Sequence, residues 1–216
     1  MEIFIDSANV EEIKEILSWG IADGCTTNPK LASAEKGKDF ETNTKEILKL
    51  VKGPVSIEVT TNDLSEMLKE AEKYASWGQN VVVKLPMGVA GLKATAVLSA
   101  KGIKTNVTAC MSPAQAILAA KAGATYASLF YSRIGDMGYD AAKVVRDTAD
   151  LFARSHVKTK IIVGSIRHMM QIIEAGLQGA HVLTIPPKFL IQMTQNPKTD
   201  ESIAEFLEAW SAYKKK

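Results

Sequence analysis

Lys84 sits in the run Val81-Val82-Val83-Lys84-Leu85-Pro86, where almost every neighbour is apolar. Lysine is among the residues least often buried without a partner, so its position there invites a chemical reading. An amine in a dry pocket gives up its proton more readily than one in water, and can then attack a carbonyl carbon to form a Schiff base. Carbon–carbon cleavage through a Schiff base also needs a group that moves protons. Two carboxylates inside apolar runs are available, Asp6 in EIFID and Glu58 in PVSIEVTT. Arg133 and Arg167, with Ser165 as a further donor, could grip a phosphorylated end of a substrate. Each residue also has a plainer role open to it. Asp6 could cap the following helix, Glu58 or Lys84 could be half of a structural ion pair, and Asn28 before Pro29 is an ordinary turn signal.

What would unite these residues is the elements that carry them. Apolar runs at 2–6, 21–28, 54–61, 80–86, 103–108, 125–130, 160–165 and 180–185 alternate with helical segments. Runs rich in Val, Ile and Leu without strict alternation predict parallel strands covered on both faces. Asn9 and Glu12 have the spacing of a capping box, and Val10, Ile13, Ile16 and Leu17 mark an apolar face that ends at Gly20. Leu92, Ala96, Val97 and Ala100 mark a second helix ending at Gly102. Pro113 opens a third, with Ala114, Ile117, Leu118 and Ala120 before Gly123. A last helix, about 200–213, carries Ile203, Phe206, Leu207 and Trp210 beyond the eighth unit. Eight βα units of about 25 residues predict an α/β fold, one (β/α)8 TIM-barrel domain over 1–216 with an added C-terminal helix. An open doubly wound sheet is the alternative, weakened because the first turn, Asp6-Ser7-Ala8-Asn9, holds no glycine.

In such a barrel the site lies at the C-terminal ends of the strands. Those ends carry Asp6, then Thr26-Thr27-Asn28, Glu58, Lys84, Asn106 with Thr108, Ser128 with Arg133, and Ser165 with Arg167. Composition narrows the partners. The 216 residues are 46% hydrophobic and 23% charged, with a formal net charge of +2, a balance that argues against nucleic-acid or membrane surfaces. Cys25 and Cys110 are too few for a disulfide framework or zinc cluster and suit a reducing compartment. His156, His168 and His181 lack metal-ligand spacing, and Met169, Met170 and Met193 read as helix packing. No leader or long apolar segment is read, so a cytoplasmic protein is expected, with Lys214-Lys215-Lys216 as a solvated tail.

The chain resembles the transaldolases, in particular the short subfamily of small transaldolases and fructose-6-phosphate aldolases. The resemblance spans essentially the whole chain. It is carried by IFIDSAN (3–9), DGCTTNP (23–29), SIEV (56–59), VVVKLP (81–86), TNVT (105–108), SLFYSRI (128–134), VGSIR (163–167) and NPKTDESIAEFLEAW (196–210). It implies Lys84 as the Schiff-base lysine and Asp6 as the group that takes the hydroxyl proton during cleavage. Glu58 and Thr108 would hold a proton-relaying water. Thr27, Asn28, Asn106 and Ser128 would bind the donor sugar, Phe130 would pack against it, and Arg133, Ser165 and Arg167 would hold its phosphate. Sugar phosphates are thus the implied substrates, with no metal or organic cofactor, in a homo-oligomer such as a pentamer or decamer.

Within the family, glutamate in the third strand, asparagine in the fifth and phenylalanine ending the sixth mark the transaldolase branch; this chain has Glu58, Asn106 and Phe130. Strand alternation predicts that Phe130 points inward and Tyr131 outward. The chain departs from the family at Gly88-Val89-Ala90, Ala109-Cys110-Met111 and Gly135, all near the rim. The expected activity is transaldolase. Alternatives are an aldolase releasing free dihydroxyacetone, a transaldolase acting on a sulfonated ketose, and a barrel that binds sugar phosphates without turning them over.

Overall fold

The computed structural model describes residues 1–37 and 39–215, so Lys216 of the basic tail lies outside the described residues. Its strands are β1 (Glu2–Asp6), β2 (Gly24–Thr26), β3 (Val55–Glu58), β4 (Val81–Pro86), β5 (Thr105–Cys110), β6 (Tyr126–Phe130), β7 (Lys160–Gly164) and β8 (Val182–Ile185). All pair in parallel in chain order, and β8 returns to β1 with Leu183 opposite Ile3, closing the barrel. The helices are α1 (Val10–Ser18), α2 (Pro29–Ala34), α3 (Phe40–Leu50), α4 (Leu64–Ala75), α5 (Val89–Ala100) and α6 (Pro113–Lys121). They continue with α7 (Tyr131–Asp136), α8 (Ala141–Arg154), α9 (Met169–Leu177), α10 (Pro187–Thr194) and α11 (Pro197–Lys214). The chain is therefore a TIM barrel with an added C-terminal helix, α11 being longer than the expected 200–213.

Because successive side chains on a strand face opposite ways, each strand supplies two sets of residues. Ile5, Cys25, Ile57, Val83, Val107, Leu129, Val163 and Leu183 are buried in one continuous apolar layer with the helices. Phe4, Val82, Tyr126, Ile162 and Val182 form a separate apolar cluster inside the barrel, with the Phe4 and Tyr126 rings edge to face at 6.0 Å. Two residues further along the same five strands stand Asp6, Lys84, Ser128, Gly164 and Thr184. The runs that look uniformly apolar in sequence thus alternate after all; a valine faces either a helix or the dry lower interior.

Several local expectations change in detail. Asn9 caps α1, its Oδ1 accepting the Glu12 N–H at 2.9 Å, which leaves Asp6 free of that duty. The capping box closes indirectly: Ser7 Oγ accepts from the Asn9 N–H and donates to Glu12 Oε2 at 2.7 Å. On α5 the buried positions are Gly91, Ala94, Thr95 and Leu98, and on α6 they are Ala116 and Ala119. The stripes expected there are on the wrong face: Val97, Ile117 and Leu118 are exposed. Both helices are apolar nearly all round, and the smallest residues are chosen for the close approach to the barrel. Met169, Met170 and Met193 are likewise exposed rather than packed. No residue of α11 is buried, and no helix among the described residues is long and apolar enough to cross a membrane.

Candidate active site

Lys84 stands near the end of β4, which is held in place by α5. A Cβ on Gly91 would lie 1.9 Å from the Pro86 carbonyl oxygen, so only glycine lets the helix pack this closely. The lysine is only 5% exposed. Its Nζ donates to the Thr27 carbonyl at 3.0 Å and pairs with Glu58 Oε2 at 3.0 Å, Glu58 being its register partner on β3. Asp6 faces the same space from β1. Thr26 Oγ1 donates to Asp6 Oδ1 at 2.9 Å and lies 2.5 Å from Thr184 Oγ1. Burial raises the Asp6 pKa above the usual carboxylate range; the Lys84 charge and the Thr26 bond lower it, and the Glu58 charge adds to the rise. A carboxyl with that bias is suited to accepting a proton.

These groups open onto a cavity of about 400 Å³ at the C-terminal mouth of the barrel. Asp6, Asn28, Glu58, Lys84, Ser128, Phe130, Arg133, Ser165 and Arg167 all line it, so nine of the residues singled out in sequence converge. Asn28 has a double position, its Oδ1 capping α2 through the Leu31 N–H at 3.0 Å. Asn106, outside the lining, is fully buried between two hydroxyls: Ser128 Oγ donates to its Oδ1 at 2.7 Å and its Nδ2 donates to Ser56 Oγ at 3.1 Å. Thr108 is buried, and its Oγ1 has no hydrogen-bond partner among the described residues. Thr27 does not turn into the cavity. Its hydroxyl donates to the Ser56 carbonyl, and only its backbone oxygen reaches Lys84.

Phe130 faces the cavity, with the Arg133 guanidinium 5.5 Å above its ring. Tyr131 points away, donating to Glu174 on α9 at 2.9 Å. Arg167 is held by both oxygens of Asp136 at 2.8 Å. Ala109 and Ser165, both in the lining, have φ of 58°, costing about 1–3 kcal/mol each. Such strain concentrates at functional sites; at Ala109 it accompanies a register shift between Val107 and Cys110 on β5. Gly88, by contrast, has extended backbone with open space around it and takes no part in the lining. Sequence reasoning missed Ser56, Thr184, Lys30 and Asp136 and named Thr26 only as part of a run. Counting by twos from Lys84 along each paired strand would have found the first two and Thr26.

A larger hollow of about 530 Å³ lies between α8 and α9 and takes in Arg146, Asp150, His156 and His181. It holds no amine paired with a carboxylate and sits away from the strand ends where barrels of this kind build their sites. Burial there, aided by Lys160, lowers the His181 pKa. Cys25 and Cys110 are free and buried, their thiol pKa values raised by burial, that of Cys110 to about 12. Among the described residues, no group of three or more His, Cys, Asp or Glu side chains could hold a metal ion.

Comparisons with known proteins bear on the chain as a whole. The model of the family described as "Transaldolase/Fructose-6-phosphate aldolase" matches residues 3–216. A protein of Symbiobacterium thermophilum named "Probable transaldolase" is 47% identical over 214 residues, covering 99% of each chain. Proteins of the same name from an Anaeromyxobacter species and from Petrotoga mobilis are 46% and 48% identical, covering 100% and 99% of this chain and 100% and 96% of their own. With a family match over nearly its whole length and full-length relatives at this identity, the chain belongs to the transaldolase/fructose-6-phosphate aldolase family.

Proposed function

We propose that this chain is a transaldolase that moves a three-carbon dihydroxyacetone unit from sedoheptulose 7-phosphate to glyceraldehyde 3-phosphate, giving erythrose 4-phosphate and fructose 6-phosphate. The observation that carries the reading is a buried lysine amine opening onto the same cavity as two carboxylates, with Arg133 and Arg167 in the same wall. In this reading Lys84 Nζ attacks the ketose carbonyl, and loss of water leaves an iminium that serves as electron sink. Asp6 takes the proton of the hydroxyl on the carbon beyond the breaking bond, the bond's electrons move into the iminium, and the aldose phosphate departs. The enamine left on Lys84 attacks the next aldehyde, Asp6 returns its proton to the new hydroxyl, and water hydrolyses the resulting iminium to release the product ketose and the free amine. Glu58 and Thr108 hold the water that relays protons; the unpartnered Thr108 hydroxyl supports that role. Asn28 and Ser128 bind donor hydroxyls, and Asn106, buried behind them, accepts from Ser128 and orients it. Lys84 supplies the covalent chemistry, so the reaction needs no metal or organic cofactor.

Borohydride added with fructose 6-phosphate should fix a covalent adduct on the Lys84 peptide; intact binding with no mass shift would instead favour a barrel that binds without turnover. Phe130 in the cavity and Tyr131 outside it favour the transaldolase branch over the aldolase. Free dihydroxyacetone released at full rate without an acceptor aldehyde would overturn that preference. A homo-oligomer belongs to the same proposal. Ile203, Phe206, Leu207, Trp210 and Tyr213 on α11 and Val97, Ile117 and Leu118 on the barrel are exposed in the single chain, more apolar surface than scattered single residues would give. Native mass spectrometry reads the assembly directly. A cytoplasmic setting fits the two free thiols.

A further inference from the structure

We propose that Thr184 is a positioning residue for Asp6: through Thr26 it fixes the direction of a two-hydroxyl chain that ends on the Asp6 carboxylate. The inference rests on the reading of Asp6 as proton acceptor. Thr184 on β8 and Thr26 on β2 flank β1 on either side, and their Oγ1 atoms meet at 2.5 Å across the barrel interior. An ionised carboxylate only accepts, so Thr26 must spend its single hydrogen on Asp6 Oδ1, 2.9 Å away. Thr26 is then the acceptor in its contact with Thr184, and Thr184 the donor. The chain runs one way, Thr184 to Thr26 to Asp6. Gly164 leaves room for the Thr184 methyl, since a Cβ at that position would lie 3.0 Å from its Cγ2. Donation into the Thr26 oxygen polarises the Thr26 hydroxyl and strengthens its bond to the carboxylate, the cooperative effect expected of linked hydrogen bonds in a buried site. That bond favours the ionised, proton-accepting form of Asp6, against the burial that favours its protonated form. The charges around it are Lys84 on β4, Glu58 on β3 and, in the same cavity, Lys30, Arg133 and Arg167, with the Cys25 thiol behind β2.

Thr184→Val keeps the shape and removes the donor; Thr184→Ser keeps the donor. With fructose 6-phosphate and erythrose 4-phosphate, Thr184→Val is expected to lower kcat about two- to fivefold with KM held within about twofold. The acid limb of its kcat profile should move up by about 0.3 pH unit, since a weaker bond to the carboxylate lets Asp6 hold its proton to higher pH. Its borohydride adduct should form to the wild-type extent, and Thr184→Ser should restore both rate and limb. A wild-type limb and rate in Thr184→Val, or equal impairment of the two variants, overturns the proposal. Asp6→Asn separates the possible failures. At wild-type rate it overturns the role of Asp6 and the proposal with it; if it is inactive while Thr184→Val is unaffected, Thr184 alone is excluded.

Discussion

Phe4 and Asp6 on β1, Val82 and Lys84 on β4, and Ile162 and Gly164 on β7 stand two positions apart. The first of each pair belongs to a dry apolar cluster, the second to the wall of a cavity. Backbone pairing is the same at both levels, so the difference lies in what the inward side chains can satisfy. Below, each ring or branched side chain removes its surface from water and needs nothing more. Above, every polar group must find a partner or a substrate: Lys84 has Glu58 and the Thr27 carbonyl, Asn106 has two serines, and Asp6 has Thr26. The lower layer is thus an apolar floor under the cavity, letting the amine and carboxylates sit close without water reaching them from beneath.

If the two levels divide chemistry from stability, substitutions should separate the two readouts. Lys84→Met should have the largest effect, lowering turnover by about 10⁴-fold or more and abolishing the borohydride adduct in the peptide mass map. Ile162→Ala, one level down, should cost about 2–4 kcal/mol in denaturant unfolding with kcat within about twofold. A large kcat loss there would break the comparison. Asp6→Asn sharpens it from the other side. A carboxyl whose folded-state pKa is raised contributes stability below the ordinary carboxylate range and loses it as pH rises through the folded value. The asparagine variant should therefore lose turnover by about 10²- to 10⁴-fold yet melt above the wild type at neutral pH, with the gap narrowing towards about pH 4. The smallest effect is expected at the outer rim, where Asp136 holds Arg167 in an exposed pair. Asp136→Asn should free the arginine for phosphate and lower KM about two- to fivefold, the scale of surface ion pairs.

Much of this plan was legible in the residues. The eight runs, the closing glycines Gly20, Gly102 and Gly123 and the strand-end polar set all appear in the sequence, because parallel strands and helix ends leave strong local signals. The misread parts are those decided by packing partners. On α5 and α6 the apolar residues go almost all the way round, so the sequence holds no moment to say which side meets the barrel. Thr184 and Ser56 look like ordinary strand residues until a partner strand is placed beside them. Thr26 and Thr27 are the same residue type in adjacent positions, and only the register with Ser56 assigns the hydroxyl of Thr26 to Asp6 and that of Thr27 to the backbone.

The irregularity at Ala109 has a chemical consequence. A strand running on without a shift from Thr108 would turn Cys110 towards the cavity; with it, Cys110 pairs with Leu129 and joins the helix-facing layer, fully buried. Cys25 lies in that layer as well. A thiolate beside the cavity would add to the same aldehydes and ketones that Lys84 is proposed to capture, diverting them into hemithioacetals. Keeping both sulfurs behind the wall, and protonated there, leaves the amine without a rival for its electrophile.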